Sequence, residues 1–164
     1  TQHYARQAAG LIPDTPHTYV EVHNRVEVFL QIRNRHRHSR ITLFLHNDPE
    51  SMGGLATPEA RRQILAMADA VLCVSDYVRR RFLAGIGDAM ADRVHVIPNG
   101  LPLAACPPPV EPPPHRLLYV GRMVPEKGVH QLAQAIAAVL PRHPGWTVGL
   151  VGARRHGGGE APHV

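Results

Sequence analysis

The sequence predicts an α/β fold built on parallel sheets, and three observations support this prediction. Short apolar runs of strand length alternate with stretches of helical periodicity. The run at 41–45 ends abruptly in the polar residues His46, Asn47 and Asp48. The same alternation starts again after a proline-rich break. Because strands separated by helices of about 10–15 residues form βαβ units, we expect the strands to lie parallel.

The first half of the chain carries four predicted strands and three predicted helices. The strands are placed at 18–23, 41–45, 70–74 and 94–97, and the helices at 26–37, 58–68 and 76–83. Thr57 and Ser75 are expected to cap the second and third helices, because their side-chain oxygens can accept hydrogen bonds from the first turn. Pro58 suits the first helical position that follows Thr57.

A proline-rich segment divides the sequence. Seven of the thirteen residues at 102–114 are proline, which cannot continue a helix or donate to a central strand ladder. We therefore interpret 1–101 as part of one domain, 102–115 as a linker and 116–164 as the start of a second domain. In the second domain the pattern predicts a strand at 116–120, a helix at 129–140 and a strand at 146–151.

Composition limits the class of protein and its partners. The 164 residues are 44% hydrophobic, which is typical of a globular chain. Two distant cysteines, with no apolar run long enough for a signal peptide or a membrane span, favour a cytoplasmic location. A net charge of +5 and a pI near 9.9 indicate anionic partners, whether phosphorylated small molecules, lipid headgroups or nucleic acid.

The loop at 121–128 lies where open parallel sheets bind ligands, beyond the carboxyl end of a strand and before a helix. Gly121 permits a close backbone approach, and the helix start offers free N–H groups to an anion. Arg122 can bind phosphate oxygens with two donors, and Lys127, the only lysine in the chain, supplies a compact charge. At this point two interpretations stay open: a phosphate-binding loop, or two solvated loop charges.

Histidines supply the other candidates. His46 ends a strand beside Asn47, which favours a role in a cleft, while His23 ends its own strand and is either a cleft residue or an ordinary structural histidine. His36 and His38 lie among arginines, which repel cations, so we interpret them as a solvated helix end rather than as metal ligands. No clustered Asp-x-Asp occurs, and neither a metal nor another cofactor is implied.

Five arginines on two predicted helices, at 61–62 and 79–81, could form a basic face. The favoured interpretation is solvated helix charge. The second interpretation is peripheral attraction to an anionic membrane that carries a lipid-linked acceptor.

Three segments together resemble a known family. They are LLYVGR at 117–122 continued by PEKGV at 125–129, ADAVLCVSDYVR at 68–79, and VHVIPNG at 94–100. In this order and spacing they resemble the GT-B glycosyltransferases of the GT4 type, which are retaining enzymes that use nucleotide-diphosphate sugars. The resemblance extends from about residue 19 to residue 152 and implies Rossmann-like parallel sheets in a two-domain architecture.

The resemblance also implies roles for particular residues. Gly121, Arg122 and Lys127 match the family's loop that binds the donor diphosphate, where the two cations stabilise the leaving group. His46 matches the strand-ending histidine that faces the transferred sugar. Asn99 and Gly100 resemble the hinge-side turn, although Pro102 stands where the family usually has aspartate.

Two of the family's elements fall outside this sequence. Its glycine-rich loop would precede residue 1 and its Glu-x7-Glu element would follow residue 164, so we expect the 164-residue piece alone to be inactive. The implied partners are a nucleotide-diphosphate sugar and a sugar or lipid-linked acceptor, in cell-envelope, polysaccharide or glycolipid biosynthesis.

Other functions fit less well. A dinucleotide-dependent oxidoreductase would need Gly-x-Gly-x-x-Gly after a strand, and that motif is absent. With 5% aromatic residues and none interleaved with the arginines, nucleic acid is not expected as a partner. A non-catalytic nucleotide- or nucleic-acid-binding α/β module remains the alternative.

Overall fold

The structure, a computed structural model, describes residues 2–102, 107–108, 110–111 and 115–153. The chain divides into two compact units, Thr1–Leu103 and Ala104–Val164, and the division falls within the proline-rich segment. Each unit is an α/β assembly with parallel strands, so the predicted fold class is confirmed.

The first unit contains a four-stranded parallel sheet in the order β1-β2-β3-β4. In chain order its elements are α1 (Gln2–Leu11), β1 (Tyr19–His23), α2 (Val26–Arg35), β2 (Arg40–Leu45), α3 (Pro58–Met67), β3 (Ala70–Cys73), α4 (Asp76–Leu83) and β4 (Val94–Val96). Short 3-10 helices lie at Pro49–Ser51 and Asp88–Arg93. The predicted elements are present with ends that differ by two residues or fewer.

Helix starts follow the predicted capping chemistry. The Thr57 hydroxyl accepts a hydrogen bond from the N–H of Ala60, and the Ser75 hydroxyl accepts one from the N–H of Val78. The core of the first unit lies between helices and one face of the sheet, where alternate residues of β2 are fully buried. The β2 residues in this core are Ile41, Leu43 and Leu45.

Helix α1 was not predicted. It packs against α2 through Ala5 and Ala9, which are spaced one turn apart and are buried. Because alanine side chains are small, the buried face of α1 gives only a weak hydrophobic pattern in the sequence.

The second unit contains β5 (Arg116–Val120), α5 (Val129–Val139) and β6 (Thr147–Val151). Strands β5 and β6 are parallel and pair directly, with Val120 opposite Val151. Short 3-10 helices at Pro125–Lys127 and Leu140–Arg142 flank α5.

Candidate functional site

Two histidines meet at the carboxyl ends of β1 and β2. Because these strands are parallel, with His23 opposite Phe44, residues that follow the two strands come together at one edge of the sheet. His23 Nδ1 lies 2.9 Å from His46 Nε2, and His23 Nε2 lies 2.6 Å from a carboxylate oxygen of Glu21. The Phe44 ring packs against His46 with centroids 4.5 Å apart. The structure thus brings the two predicted cleft histidines into direct contact.

Asn24 holds the His46 backbone in place. Its side-chain oxygen accepts a hydrogen bond from the N–H of His46 at 2.8 Å, and its own N–H donates to the carbonyl of Phe44 at 2.9 Å. Asn24 has a φ of 53°, a left-handed conformation that asparagine tolerates better than most residues. Such strained positions often cluster at functional sites.

A polar cavity of about 550 Å³ opens beside these residues. Its walls come from the end of β1, the start of α2 and the loops after β2, and they include the predicted residues His23 and Asn47. The other lining residues are Asn24, Arg25, Val26, Glu27, Met52 and Gly53. Helix α2 begins here without a side-chain cap. The cavity therefore combines hydrogen-bond donors, acceptors and both signs of charge, a set that suits a polyhydroxylated ligand.

An ionic network fixes the loop that follows His46. Asp48 binds Arg81 at 3.1 Å and accepts a hydrogen bond from the Tyr77 hydroxyl at 3.0 Å, while Arg81 also contacts Glu50. Partial burial acts to raise the pKa of Asp48, but the Glu50 N–H, the Tyr77 hydroxyl and the Arg81 charge outweigh burial and hold that pKa below its ordinary value. The hydrogen bond to Asp48 raises the pKa of Tyr77. These charges satisfy one another and so serve the loop's structure.

In the second unit the loop 121–128 runs from β5 to α5. The N–H of Gly121 donates to the carbonyl of Val151 at 2.9 Å, and a Cβ added at Gly152 would lie 1.8 Å from the Gly121 oxygen. Gly128 has a φ of 69°, which favours glycine, and α5 starts there without a side-chain cap.

The two loop cations extend into solvent. Arg122 and Lys127 are exposed, and within residues 2–102 and 115–153 neither side chain forms an ion pair or a hydrogen bond. The Tyr119 hydroxyl donates to the Arg122 carbonyl at 3.0 Å and so supports the loop from below. Both charges are therefore available to a ligand.

Asn99 and Gly100 are exposed beyond β4 and do not line the cavity. Their predicted hinge-side role stays a prediction.

Two interpretations from sequence are wrong for part of their residues, since His38, Arg62 and Arg80 are exposed as expected but His36 and Arg61 are buried. His36 is 2% exposed rather than solvated, with its ring nitrogens 3.0 and 2.9 Å from the carbonyls of Ile32 and Ile12. Arg61 is 1% exposed and binds three backbone carbonyls. Arg79 binds the carbonyl of Val94, and Arg81 binds carboxylates, so the five arginines do not form the continuous basic face considered from sequence.

Sequence reasoning missed two residues of this site. Glu21 lies two positions before His23, and strand periodicity could have placed both on one face. Asn24 gave no comparable signal, because its role depends on a left-handed backbone.

No helix in the described part of the chain is both long enough and apolar enough to cross a bilayer.

The fold and the site together define an α/β protein with a polar cavity at the carboxyl ends of its parallel strands. The family model described as Glycosyltransferase Family 4 matches residues 4–105, and the chain belongs to this family. The resemblance to GT-B glycosyltransferases of the GT4 type that the sequence showed is thereby confirmed.

Relatives and solved structures agree with this assignment. Over 88 residues the chain is 33% identical to glycogen synthase from two strains of Mycobacterium tuberculosis, CDC 1551 / Oshkosh and ATCC 25618 / H37Rv. That match covers 52% of this chain and 21% of the relative, so the chain spans about a fifth of the curated relatives.

The fold is similar to that of TarM. A TarM mutant from S. aureus, in complex with fondaparinux, alpha-GlcNAc-glycerol and UDP, superposes with a TM-score of 0.69 at 16% identity and covers 93% of this chain and 31% of that one. A second TarM structure gives a TM-score of 0.67 at 14% identity. At these identities the likeness concerns the fold.

Proposed function

We propose that the chain carries two half-sites of an enzyme that transfers a sugar from a nucleotide-diphosphate sugar to an acceptor hydroxyl, with retention of anomeric configuration. One half-site, in the second unit, binds the donor diphosphate. The other, in the first unit, binds the transferred sugar. Membership of the glycosyltransferase family supports the reaction class, and the resemblance in sequence supports retention.

The observation that carries the proposal is the pair of exposed cations on the loop 121–128, whose side chains have no partner among the residues that the structure describes. Arg122 and Lys127 lie within a turn bounded by Gly121 and Gly128, which leads directly into the start of α5, where no side chain caps the helix. The first N–H groups of a helix lack intrahelical partners and bind anions well. As the sugar–phosphate bond breaks, negative charge grows on the departing diphosphate, and the two nearby cations stabilise that charge without a metal ion.

The sugar half-site is proposed at His46 and the cavity beside it. Sugars present many hydroxyl groups, each able to donate and to accept a hydrogen bond. His23 and Asn47 line the cavity, and His46 contacts His23 beside it, so these side chains provide matching partners. Because Asp48 is already neutralised by Arg81, it does not add an unpaired negative charge beside an anionic donor.

The proposed setting is cell-envelope, polysaccharide or glycolipid biosynthesis in the cytoplasm. A TarM mutant has been solved with UDP, fondaparinux and alpha-GlcNAc-glycerol, and the mycobacterial relatives are named glycogen synthase. By analogy with these names we propose a nucleotide-diphosphate sugar as donor and a sugar as acceptor. The resemblance in sequence adds a lipid-linked acceptor, and the absence of Asp-x-Asp supports the proposal of no metal cofactor.

Calorimetric titration with UDP, ADP and GDP tests the diphosphate half-site. One charge-assisted hydrogen bond contributes about 1.5–3 kcal/mol, so Arg122→Ala and Lys127→Ala should each weaken binding roughly 10- to 100-fold. Arg142→Ala is the matched control, because Arg142 is an exposed cation of the same unit outside the loop. Equal weakening in all three variants would show nonspecific charge attraction, and unchanged affinity in the two loop variants would remove the assigned roles.

A further inference from the structure

Three titratable side chains form a continuous line at the edge of the first unit's sheet. Glu21 contacts His23 Nε2 at 2.6 Å, and His23 Nδ1 contacts His46 Nε2 at 2.9 Å. The two imidazole planes differ by 19° with centroids 5.1 Å apart, so the rings meet nearly in one plane, edge to edge. Both nitrogens of His23 are therefore engaged, one by a carboxylate and one by another imidazole.

The partners determine where the protons lie. An ionised carboxylate only accepts, so His23 Nε2 carries a hydrogen and donates it to Glu21. In a neutral His23, Nδ1 is then an acceptor, and the hydrogen between the rings belongs to His46 Nε2. In a neutral His46 this leaves Nδ1 with its lone pair. Glu21 thus acts on His46 through His23, although it does not touch His46.

The surroundings keep this line in place. The Asn24 side chain holds the His46 backbone, and the Phe44 ring packs against both imidazoles at 4.5 and 5.1 Å. Arg25 and Glu27, which line the same cavity as His23, are the other charged groups near it. Within the described residues, neither side chain forms a hydrogen bond or an ion pair with the two imidazoles.

We propose that Glu21 and His23 are positioning residues that fix His46 as the Nε2–H tautomer, so that its Nδ1 accepts a hydrogen bond from a substrate hydroxyl. The inference deepens the proposed function and rests on it for the identity of the ligand. With Nε2–H occupied by His23, His46 can serve a neutral ligand only as an acceptor. A sugar hydroxyl can donate to it, whereas an ionised phosphate oxygen cannot.

Nitrogen NMR of the 164-residue chain, labelled with 15N-histidine and recorded at pH 8, tests the positioning step directly. We expect coupling across the hydrogen bond between His23 Nδ1 and His46 Nε2, with the hydrogen on His46 Nε2 and none on its Nδ1. Glu21→Gln should raise the fraction of His46 that is protonated at Nδ1, because the amide can donate to His23 and reverse the line. Glu27→Gln, in the same cavity without contact to the histidines, should leave the spectrum unchanged.

Absence of the coupling in the unsubstituted chain, or an unchanged His46 tautomer in Glu21→Gln, would overturn the inference. Transfer assays on the full-length gene product separate it from the proposed function. We expect Glu21→Gln to lower kcat/KM roughly tenfold or more, as is typical when a group that orients a functional histidine is lost. The activity control is Glu59→Gln, an exposed carboxylate of α3 outside the cavity, which should change kcat/KM little. If His46→Ala retains full transfer while the NMR result holds, the sugar-facing role fails and the positioning stands.

Discussion

Replacing Arg61 should destabilise the first unit more than replacing its neighbour Arg62. The Arg61 side chain is buried in α3, and its guanidinium donates to the carbonyls of Leu55 at 2.9 Å, Ala56 at 3.2 Å and Ala84 at 2.7 Å. These bonds join the loop before α3 to the end of α4. In Arg61→Met the apolar stem is largely retained, so the variant reports mainly on the lost hydrogen bonds.

The magnitude follows from the three acceptors. Leu55 is fully buried, and leaving its carbonyl unpaired costs about 1–3 kcal/mol. Ala56 and Ala84 are exposed residues, so their carbonyls can recover water and each lost bond costs about 0.5–1.5 kcal/mol. Methionine avoids the cost of burying a charge, which offsets part of this sum. The net loss in free energy of unfolding should therefore be about 2–4 kcal/mol.

Arg62→Ala is the matched control. Arg62 also bridges to the end of α4, through the carbonyl of Gly85 at 2.7 Å, and it contacts Glu59, but it lies in solvent. Its loss should cost no more than about 1 kcal/mol.

Urea unfolding followed by far-UV circular dichroism measures both variants. Fluorescence would not serve, because the only tryptophan, Trp146, lies in the second unit. The midpoint of Arg61→Met should fall by about 1 M or more in urea. Equal midpoints for the two variants would refute the claim that the buried hydrogen bonds of Arg61 stabilise the first unit more than the exposed contacts of Arg62.

Two further predictions concern acid and the second unit. Burial acts to raise the pKa of Asp14, but hydrogen bonds, mainly from backbone N–H groups, outweigh it and lower that pKa. The pKa of Asp48 is also below the ordinary value of 3.8. Because both pKa values are lower in the folded chain, the free energy of unfolding should fall as pH drops below about 4–5. Thermal melts from pH 6 to 3 measure this, and Asp14→Asn should flatten the profile. Gly152→Ala places a Cβ against the Gly121 carbonyl and should displace the loop, lowering UDP affinity by calorimetry, whereas Gly145→Ala, which meets nothing within 4 Å, should not.

Regular elements were predictable where the signal was local. Thr57 and Ser75 begin helices through their own hydroxyls, so sequence located α3 and α4 closely. Predictions of exposure were wrong where the folded structure, rather than the local sequence, determines whether a residue is buried. His36 and Arg61 look like surface residues in sequence, yet both are buried and bind the carbonyls of Ile12 and Ala84, more than twenty positions away. When the hydrogen-bond partner of a polar residue lies twenty or more positions away, the sequence around that residue does not reveal it.

The candidate site shows the same division. Strand-ending positions of His23 and His46 were visible in sequence, and the parallel register brings them together. The contacts that join them to Glu21 were not visible, because they depend on the orientations of the two rings. Packing against Phe44 and the Asn24 hydrogen bond set those orientations in the folded chain.

The proposed half-sites are held by different means, and this difference bears on how substitutions combine. In the first unit Glu21, His23 and His46 act through one another, so removing a second member after the first should cost little more. In the second unit Arg122 and Lys127 share no contact, and each would reach a diphosphate independently. Their losses should therefore multiply in affinity. Coupled positioning on the sugar side and additive charge on the phosphate side suit the two ligands, because a sugar is recognised by hydrogen-bond direction and a diphosphate by charge.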